Sequence, residues 1–343
     1  MDGLVKISPS GDVNHDDSIE IQSALDSLCS NTSNWVNSYQ GGTVLLGKGA
    51  FQIRTPIVLR RGVSLLGIGN SSTIHPKGGG TTLVVRTPEN TCAIKNEDGF
   101  RYSTIGNFCV AGFNNPSAIG IYLKRASHLN LHNITVEGLN AGIYFDVVWG
   151  FKATSIVSWN NTIGLQLSGI STANFDSCII QDNNVHDIII SGGNNFKFIT
   201  CSIESHHKGN LSNIHFDNGP IGLFSFDTCH FERCANGDCV ISSDAEKIRF
   251  GTFKNCGFSY NGNLINKLFN LSSGKIRVVD SIIRFYNEIE DFNKGAKIEN
   301  CLLVNLNTGE ETIIKPNIEV IPHTHKSIIK RITDFLAIPH LDL

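Results

Sequence analysis

The sequence predicts an all-β solenoid, a single chain wound as a parallel β-helix, and three observations carry that reading. The first is a short phrase that returns along the chain: Ser177-Cys178-Ile179-Ile180-Gln181, Thr200-Cys201-Ser202-Ile203-Glu204, Thr228-Cys229-His230-Phe231-Glu232 and Asn255-Cys256-Gly257-Phe258-Ser259. Copies precede it at Asn107, Asn133 and Thr154 and follow it at Asp280 and Asn300. The second is spacing. The aligned column falls at positions 108, 134, 155, 178, 201, 229, 256, 281 and 301, and periods of roughly 20 to 50 residues mark repeat architectures. Leucine-rich repeats need a Leu-x-x-Leu-x-Leu frame, and helical repeats need longer amphipathic segments; neither is present. The third is alternation. The column itself and the column two residues on (Val110, Val136, Val157, Ile180, Ile203, Phe231, Phe258, Ile283, Leu303) are small or apolar, while intervening positions are mixed or polar. Period two with one apolar face is the signature of a half-buried strand.

The residue that opens each phrase is Asn, Asp, Ser or Thr. Short polar side chains suit a sharp bend, where they bond to backbone or to the same residue in the next layer. A further strand per layer reads from Gly120-Ile121-Tyr122-Leu123-Lys124, Gly142-Ile143-Tyr144-Phe145-Asp146, Gly164-Leu165-Gln166-Leu167-Ser168, Asp187-Ile188-Ile189-Ile190 and Asn213-Ile214-His215-Phe216. Ahead of the layers, Asp16 to Leu28 has a capping residue followed by helically spaced apolar positions. Gly-bounded strands follow it, as suits a cap on the solenoid's end. The expected organisation is residues 1–70 as cap and first strands, 71–305 as β-helix and 306–343 as a terminal cap or subunit contact. In that last segment Thr312 to Pro322 reads as a strand pair and Lys326 to Leu336 has helical spacing.

Composition narrows the function classes. A net charge of -3 over 343 residues offers no basic field for nucleic acid. No apolar run approaches the roughly 18 residues of a membrane span, and the opening residues lack a signal peptide's apolar core. Five of the ten cysteines (Cys178, Cys201, Cys229, Cys256, Cys301) share the inward column, where reduced Cys acts as a small hydrophobe. Cys234 and Cys239 have the one spacing that hints at a disulfide or metal, a weak signal without further ligands. No metal and no cofactor is expected.

The order Asp16-Asp17, Gln22-Ser23-Ala24-Leu25-Asp26, Gly41-Gly42-Thr43-Val44, Gly49-Ala50-Phe51 and Leu66-Gly67-Ile68-Gly69 resembles the start of pectate-lyase-superfamily β-helix proteins, common among phage tailspikes and tail-borne depolymerases. The resemblance is specific over about the first 70 residues and holds at the level of layers to about residue 304. It implies a right-handed, single-stranded parallel β-helix with a short N-terminal helical cap, a carbohydrate substrate, and the homotrimer and virion-tail or extracellular setting of tailspikes. It does not fix the reaction, because hydrolases, lyases, epimerases and binding-only members share this opening. The Asn-Thr-Asp and Gly-His-Gly signatures of polygalacturonases are absent, so no catalytic residue carries over.

Candidate chemistry comes from the outward column that ends each phrase: Ala111, Glu137, Ser158, Gln181, Glu204, Glu232, Ser259, Arg284, Val304. Layers stack about 4.8 Å apart, which hangs Glu204 directly beside Glu232. Like charges that close oppose joint ionisation, and one protonated and one ionised carboxyl is what glycoside hydrolysis requires. Asp182 joins them as a third candidate catalytic carboxylate. His206, His207, His230, Arg233 and Tyr260 lie in adjacent outward or loop positions, and Trp159 two layers earlier. These are candidate sugar-binding groups. The same residues also fit a plain solvated surface, with Arg233 neutralising Glu232. A second candidate face carries Tyr144 and Asp146, with Tyr122, Lys124 and His215 alongside. The expected activity is hydrolysis of a bacterial surface polysaccharide. A polysaccharide lyase is the alternative reaction, and a noncatalytic glycan-binding adhesin is the competing class.

Overall fold

A computed structural model of the chain describes residues 3–29, 41–70, 79–113, 115, 117–206, 209–217, 219–233, 240–244, 248–260, 269–271, 275–285, 296–306 and 308–314. The strands stack in parallel as a β-helix of about eight turns. Each full layer supplies three strands, for example Ile170–Asp176, Ile179–Gln181 and His186–Ile190, and each pairs with its counterpart one layer on. We call these the first, second and third rows. The third row forms its own nine-stranded sheet. The first two rows meet at a bend, and in three layers one strand runs through both: Arg101–Ala111, Ser127–Glu137 and Trp149–Trp159.

The polar column expected at a tight bend sits there for a stereochemical reason. Asn107, Asn133, Ser177, Thr200, Thr228, Asn255, Asp280 and Asn300 all have φ between 50° and 60°, a left-handed conformation that Asn and Asp tolerate best among residues bearing a Cβ. Rungs also bond to one another: Asn133 Nδ2 donates to Asn107 Oδ1 at 3.1 Å, and Asn300 Nδ2 to Asp280 Oδ1 at 2.5 Å. One layer corrects the sequence alignment. Ser155, not Thr154, has the left-handed φ, of 54°, and Ile134 pairs with Ile156. Ile156 therefore stands in the inward column in place of Ser155. Ser158 follows it inward, fully buried and donating to the carbonyl of Gly164 at 2.9 Å.

The cysteines of that column are free and buried. Their placement answers the bend. Each thiol lies near the carbonyl two residues back and one from the preceding layer: Cys229 Sγ is 3.4 Å from Asp227 O and 3.5 Å from Phe198 O. Cys178, Cys201, Cys256 and Cys301 repeat the arrangement. Ser281 performs the same task with a hydroxyl, 2.8 Å from Val279 O. Beside this ladder runs an aromatic one, in which Phe175, Phe198, Phe226 and Phe253 stack at 4.4, 4.7 and 4.8 Å. Such stacking adds to the burial of the rings themselves. A polar ladder is buried too: Asp187, fully enclosed, accepts from Asn183 Nδ2 and Asn213 Nδ2, both at 2.9 Å.

The helix Ser18–Leu28 closes the first layer. Ile21, Ala24, Leu25 and Leu28 face the core, and polar residues in the helix and just ahead of it grip the segment 54–60 in step. Asp16 accepts from Arg54 N and Thr55 Oγ1, Gln22 exchanges hydrogen bonds with both backbone groups of Val58, and Asp26 accepts from Arg60 Nε. A strand edge that would invite another chain is thereby covered. At the other end, Cys301–Asn305 pairs antiparallel with Glu311–Ile314, a reversal of the otherwise parallel order. The helical spacing read at 326–336, the later part of the strand pair read at 312–322, and Cys234 and Cys239 lie outside the described residues.

Candidate functional site

The second row presents one outward column in unbroken register: Glu137, Trp159, Gln181, Glu204, Glu232, Ser259 and Arg284. Trp159 replaces Ser158 in it, a consequence of the corrected layer. The alternation that buries Ile180, Ile203 and Phe231 turns their successors outward.

Glu204 and Glu232 are direct register partners, as are Ser202 and His230 two residues before them. The four make a two-by-two patch on adjacent rungs. Ser202 Oγ donates to Glu204 Oε1, and His230 Nε2 lies 3.2 Å from Glu232 Oε2. Each carboxylate is thus held by a neighbour on its own strand while the two stand side by side. The Glu232 side chain is a quarter exposed, open enough to meet a ligand. Beyond Gln181 the chain turns at Asp182, φ 53°. Asp182 N donates to Glu204 O at 2.9 Å, and Asp182 Oδ1 accepts from His206 N and meets His206 Nδ1, both at 2.9 Å. Asp182 therefore orients a half-exposed imidazole at the end of the Glu204 strand, with Nε2 left for a ligand or proton. This joins Asp182, Glu204, His206, His230 and Glu232 in one neighbourhood.

Trp159 is not part of that patch. It sits two rungs away, its Nε1 donating to Glu137 Oε2 at 2.5 Å. In the sequence Glu137 reads as one more column residue, yet it is only 4% exposed. Its cover comes from remote segments: Cys109 Sγ lies 3.6 Å from Glu137 Oε1, and Asn70 Nδ2 donates to the neighbouring Thr135 Oγ1 at 2.6 Å. Burial, reinforced by the Glu137 charge and hydrogen bond, pushes the Cys109 thiol well above its ordinary range. The outward face is therefore closed at Ala111 and Glu137 and accessible from Trp159 onward. Arg233 follows Glu232 and Tyr260 follows Ser259, both in register with Ser205. His207 lies outside the described residues.

Tyr144 and Asp146 occupy a different face, in the third row. Tyr122 Oη donates to Asp146 Oδ2 at 3.0 Å, Lys124 Nζ lies 3.5 Å from the same oxygen, and the Tyr122 and Tyr144 rings are 5.0 Å apart. Burial first and Asp146 second push the Tyr122 phenol up to about 12. Asp146 is bound into this cluster. Among the described residues, one trio has ligand atoms close enough to share a cation: His15, Asp17 and Glu20, at the start of the helix. Both Asp17 oxygens there already accept backbone N–H groups, from Ser10 and Gln52.

No protein-family model matches this chain, and no curated protein matches it. Solved structures do. The gp42 tailspike of Acinetobacter phage vb_AbaP_AS12 superimposes with a TM-score of 0.66 at 11% identity, over 91% of this chain and 65% of that one. The ORF18 protein of Geobacillus virus E2 gives 0.62 at 18% identity, over 88% and 61%. DFA-IIIase from Arthrobacter chlorophenolicus A6, without its lid and in complex with GF2, gives 0.62 at 10% identity, over 88% and 92%. The chain spans less than two thirds of the length of the two viral proteins. These likenesses establish the shared β-helix fold.

Proposed function

We propose that the chain is a polysaccharide depolymerase of tailspike type that hydrolyses glycosidic bonds of a bacterial capsule or O-antigen at the second-row column. The observation that carries this reading is the in-register pair Glu204 and Glu232. Two carboxyl groups on adjacent rungs can divide the work, one protonating the leaving oxygen and the other acting as base or nucleophile. His230 beside Glu232 and Ser202 beside Glu204 place different partners on the two acids, and groups in different environments separate into acid and base roles. Asp182 serves by fixing His206. Trp159 supplies a stacking surface along the groove, His206 and His230 contact sugar hydroxyls, and Arg233, His207 and Tyr260 are further sugar-binding groups. Tyr144 and Asp146 bind glycan outside the cleavage point. Similarity to a tailspike supports a homotrimer and a virion-tail or extracellular setting.

A β-elimination reading has one observation of its own, the Asp182-oriented His206, which would serve as the proton-abstracting base of a lyase. Removal of each acid separates the readings. Glu204→Gln and Glu232→Gln preserve shape and hydrogen bonding, so cleavage is expected to fall by about 10²-fold to 10⁴-fold with glycan affinity retained. Unchanged cleavage in both variants, with loss in His206→Gln, overturns the paired-carboxylate assignment. Binding without cleavage by the unmodified protein favours an adhesin.

A further inference from the structure

On the third row, beyond the tyrosines, the outward column turns polar at His215 and Ser242, with His186 and Ser212 buried beside it. His186 pairs in register with Ser212, and His215 with Ser242. The two imidazoles stack at 4.8 Å with 13° between their planes. Four groups then follow in one hydrogen-bonded line: His186 Nδ1 to Ser212 Oγ at 3.0 Å, Ser212 Oγ to Ser242 Oγ at 2.9 Å, and Ser242 Oγ to His215 Nδ1 at 2.8 Å. The other nitrogen of His215, Nε2, faces Asp244 Oδ2 at 3.7 Å.

Two directions of donation fit these contacts, and the Ser212 carbonyl, 3.3 Å from His186 Nδ1, together with the Asp244 carboxylate favours one of them. A carboxylate beside Nε2 favours the tautomer with its hydrogen there, which leaves Nδ1 as an acceptor. Ser242 then donates to Nδ1, Ser212 donates to Ser242, and His186 donates to Ser212. A serine hydroxyl that donates to an imidazole with a carboxylate near its other nitrogen is the arrangement of an activated nucleophile. His215 is only 16% exposed, and its ring is pinned by the stack, so the geometry does not depend on a mobile side chain.

We propose that Ser242, His215 and Asp244 form a second catalytic centre, one that hydrolyses carboxylic esters. Ser242 Oγ bonds to the acyl carbon as its proton passes to His215 Nδ1, and Asp244 stabilises the imidazolium. The carbonyl oxygen takes up the charge beside the Ser212 hydroxyl, which Ser242 no longer engages and which His186 supports from behind. Collapse breaks the bond to the leaving oxygen, which takes the proton from His215. Water then attacks the acyl-serine by the same route, releasing the acid and restoring Ser242. The net change is ester plus water to acid plus alcohol. That the alcohol is a sugar hydroxyl, making the substrate an O-acylated glycan, rests on the depolymerase reading; the esterase chemistry does not.

The test is reaction of the whole chain with a fluorophosphonate probe, followed by peptide mapping, alongside hydrolysis of p-nitrophenyl acetate. Covalent labelling of Ser242 is expected, with labelling and at least 10-fold of the hydrolysis lost in Ser242→Ala and in His215→Gln. Ser212→Ala should retain labelling and slow hydrolysis by about 10-fold to 100-fold, the scale of one oxyanion donor. Absence of label from Ser242 in the unmodified protein, or hydrolysis unaffected by Ser242→Ala, overturns the proposal. Mapping the unmodified protein decides the matter even if a variant fails to fold. Neither readout involves glycan chain ends, so the depolymerase reading stands or falls separately.

Discussion

The thiol column gives a prediction in which packing and hydrogen bonding pull apart. Cys229 is 2% exposed and lies between Cys201 and Cys256 in the inward column, with its Sγ at 3.4 Å from Asp227 O and 3.5 Å from Phe198 O. Cys229→Ala removes one large atom from a close-packed interior. The transfer loss is about 1 kcal/mol, by analogy with a methylene at about 0.8 kcal/mol, with a cavity contribution added. Leaving a buried carbonyl without its donor costs about 1 kcal/mol more, for a total of about 2 to 3 kcal/mol. Cys229→Ser loses some packing but replaces a weak donor with a stronger one, in the role that Ser281 already fills in the same column. Its cost is expected to stay at or below about 1 kcal/mol. Guanidinium unfolding followed by circular dichroism reads both, as shifts of the midpoint at constant slope. If the serine variant is as unstable as the alanine variant, the column is filled with cysteine for volume alone and the hydrogen-bond account of the bend is wrong.

Three other outcomes follow from the structure. Asp187→Ala strips Asn183 and Asn213 of their shared buried acceptor and should cost about 2 to 4 kcal/mol, read in the same unfolding assay; a cost below about 1 kcal/mol would mean that the polar ladder is not structural. Of six tyrosines, Tyr122 should ionise at about 12 in a spectrophotometric titration, and Asp146→Asn should bring that ionisation down; an unchanged profile contradicts the Tyr122–Asp146 contact. Asp26 is held below the usual carboxylate range chiefly by the Arg60 guanidinium; Asp16 is lowered too, its burial outweighed by hydrogen bonds from Ser18, Arg54 and Thr55. A depressed folded-state value stabilises above the unfolded value of about 3.9 and is lost as pH falls through the folded one. Amide exchange over Ile21–Leu28 should therefore quicken below about pH 4 relative to the solenoid layers, and the effect should vanish in Asp16→Asn/Asp26→Asn.

Much of this was legible in the sequence because a solenoid writes its geometry once per layer. The left-handed bend demands Asn, Asp, Ser or Thr, and the position after it demands something small and buried, so the two columns align by eye. Legibility failed where two residues met the same demand. Thr154 and Ser155 both suit the bend, and Ser158, an inward residue with its hydroxyl spent on Gly164 O, masked the apolar alternation that would have chosen between them. With Ser158 read as outward, Trp159 drops out of the outward column. The Glu204 and Glu232 register was readable since both follow intact copies of the phrase. The burial of Glu137 was not, because Asn70 and Cys109, which help close its surroundings, are remote in sequence. The His186–Ser212–Ser242–His215 line was hidden for a related reason: its members come from three successive layers, and no two adjoin in the chain.

The most direct measurement is the chemistry of the product. Incubation with capsular and O-antigen polysaccharides, followed by end-group analysis of the fragments, reads the reaction itself. Hydrolysis by Glu204 and Glu232 predicts new reducing ends with no unsaturated uronate, and their loss in either glutamine variant. Unsaturated ends, or reducing ends that persist in both variants, would contradict it.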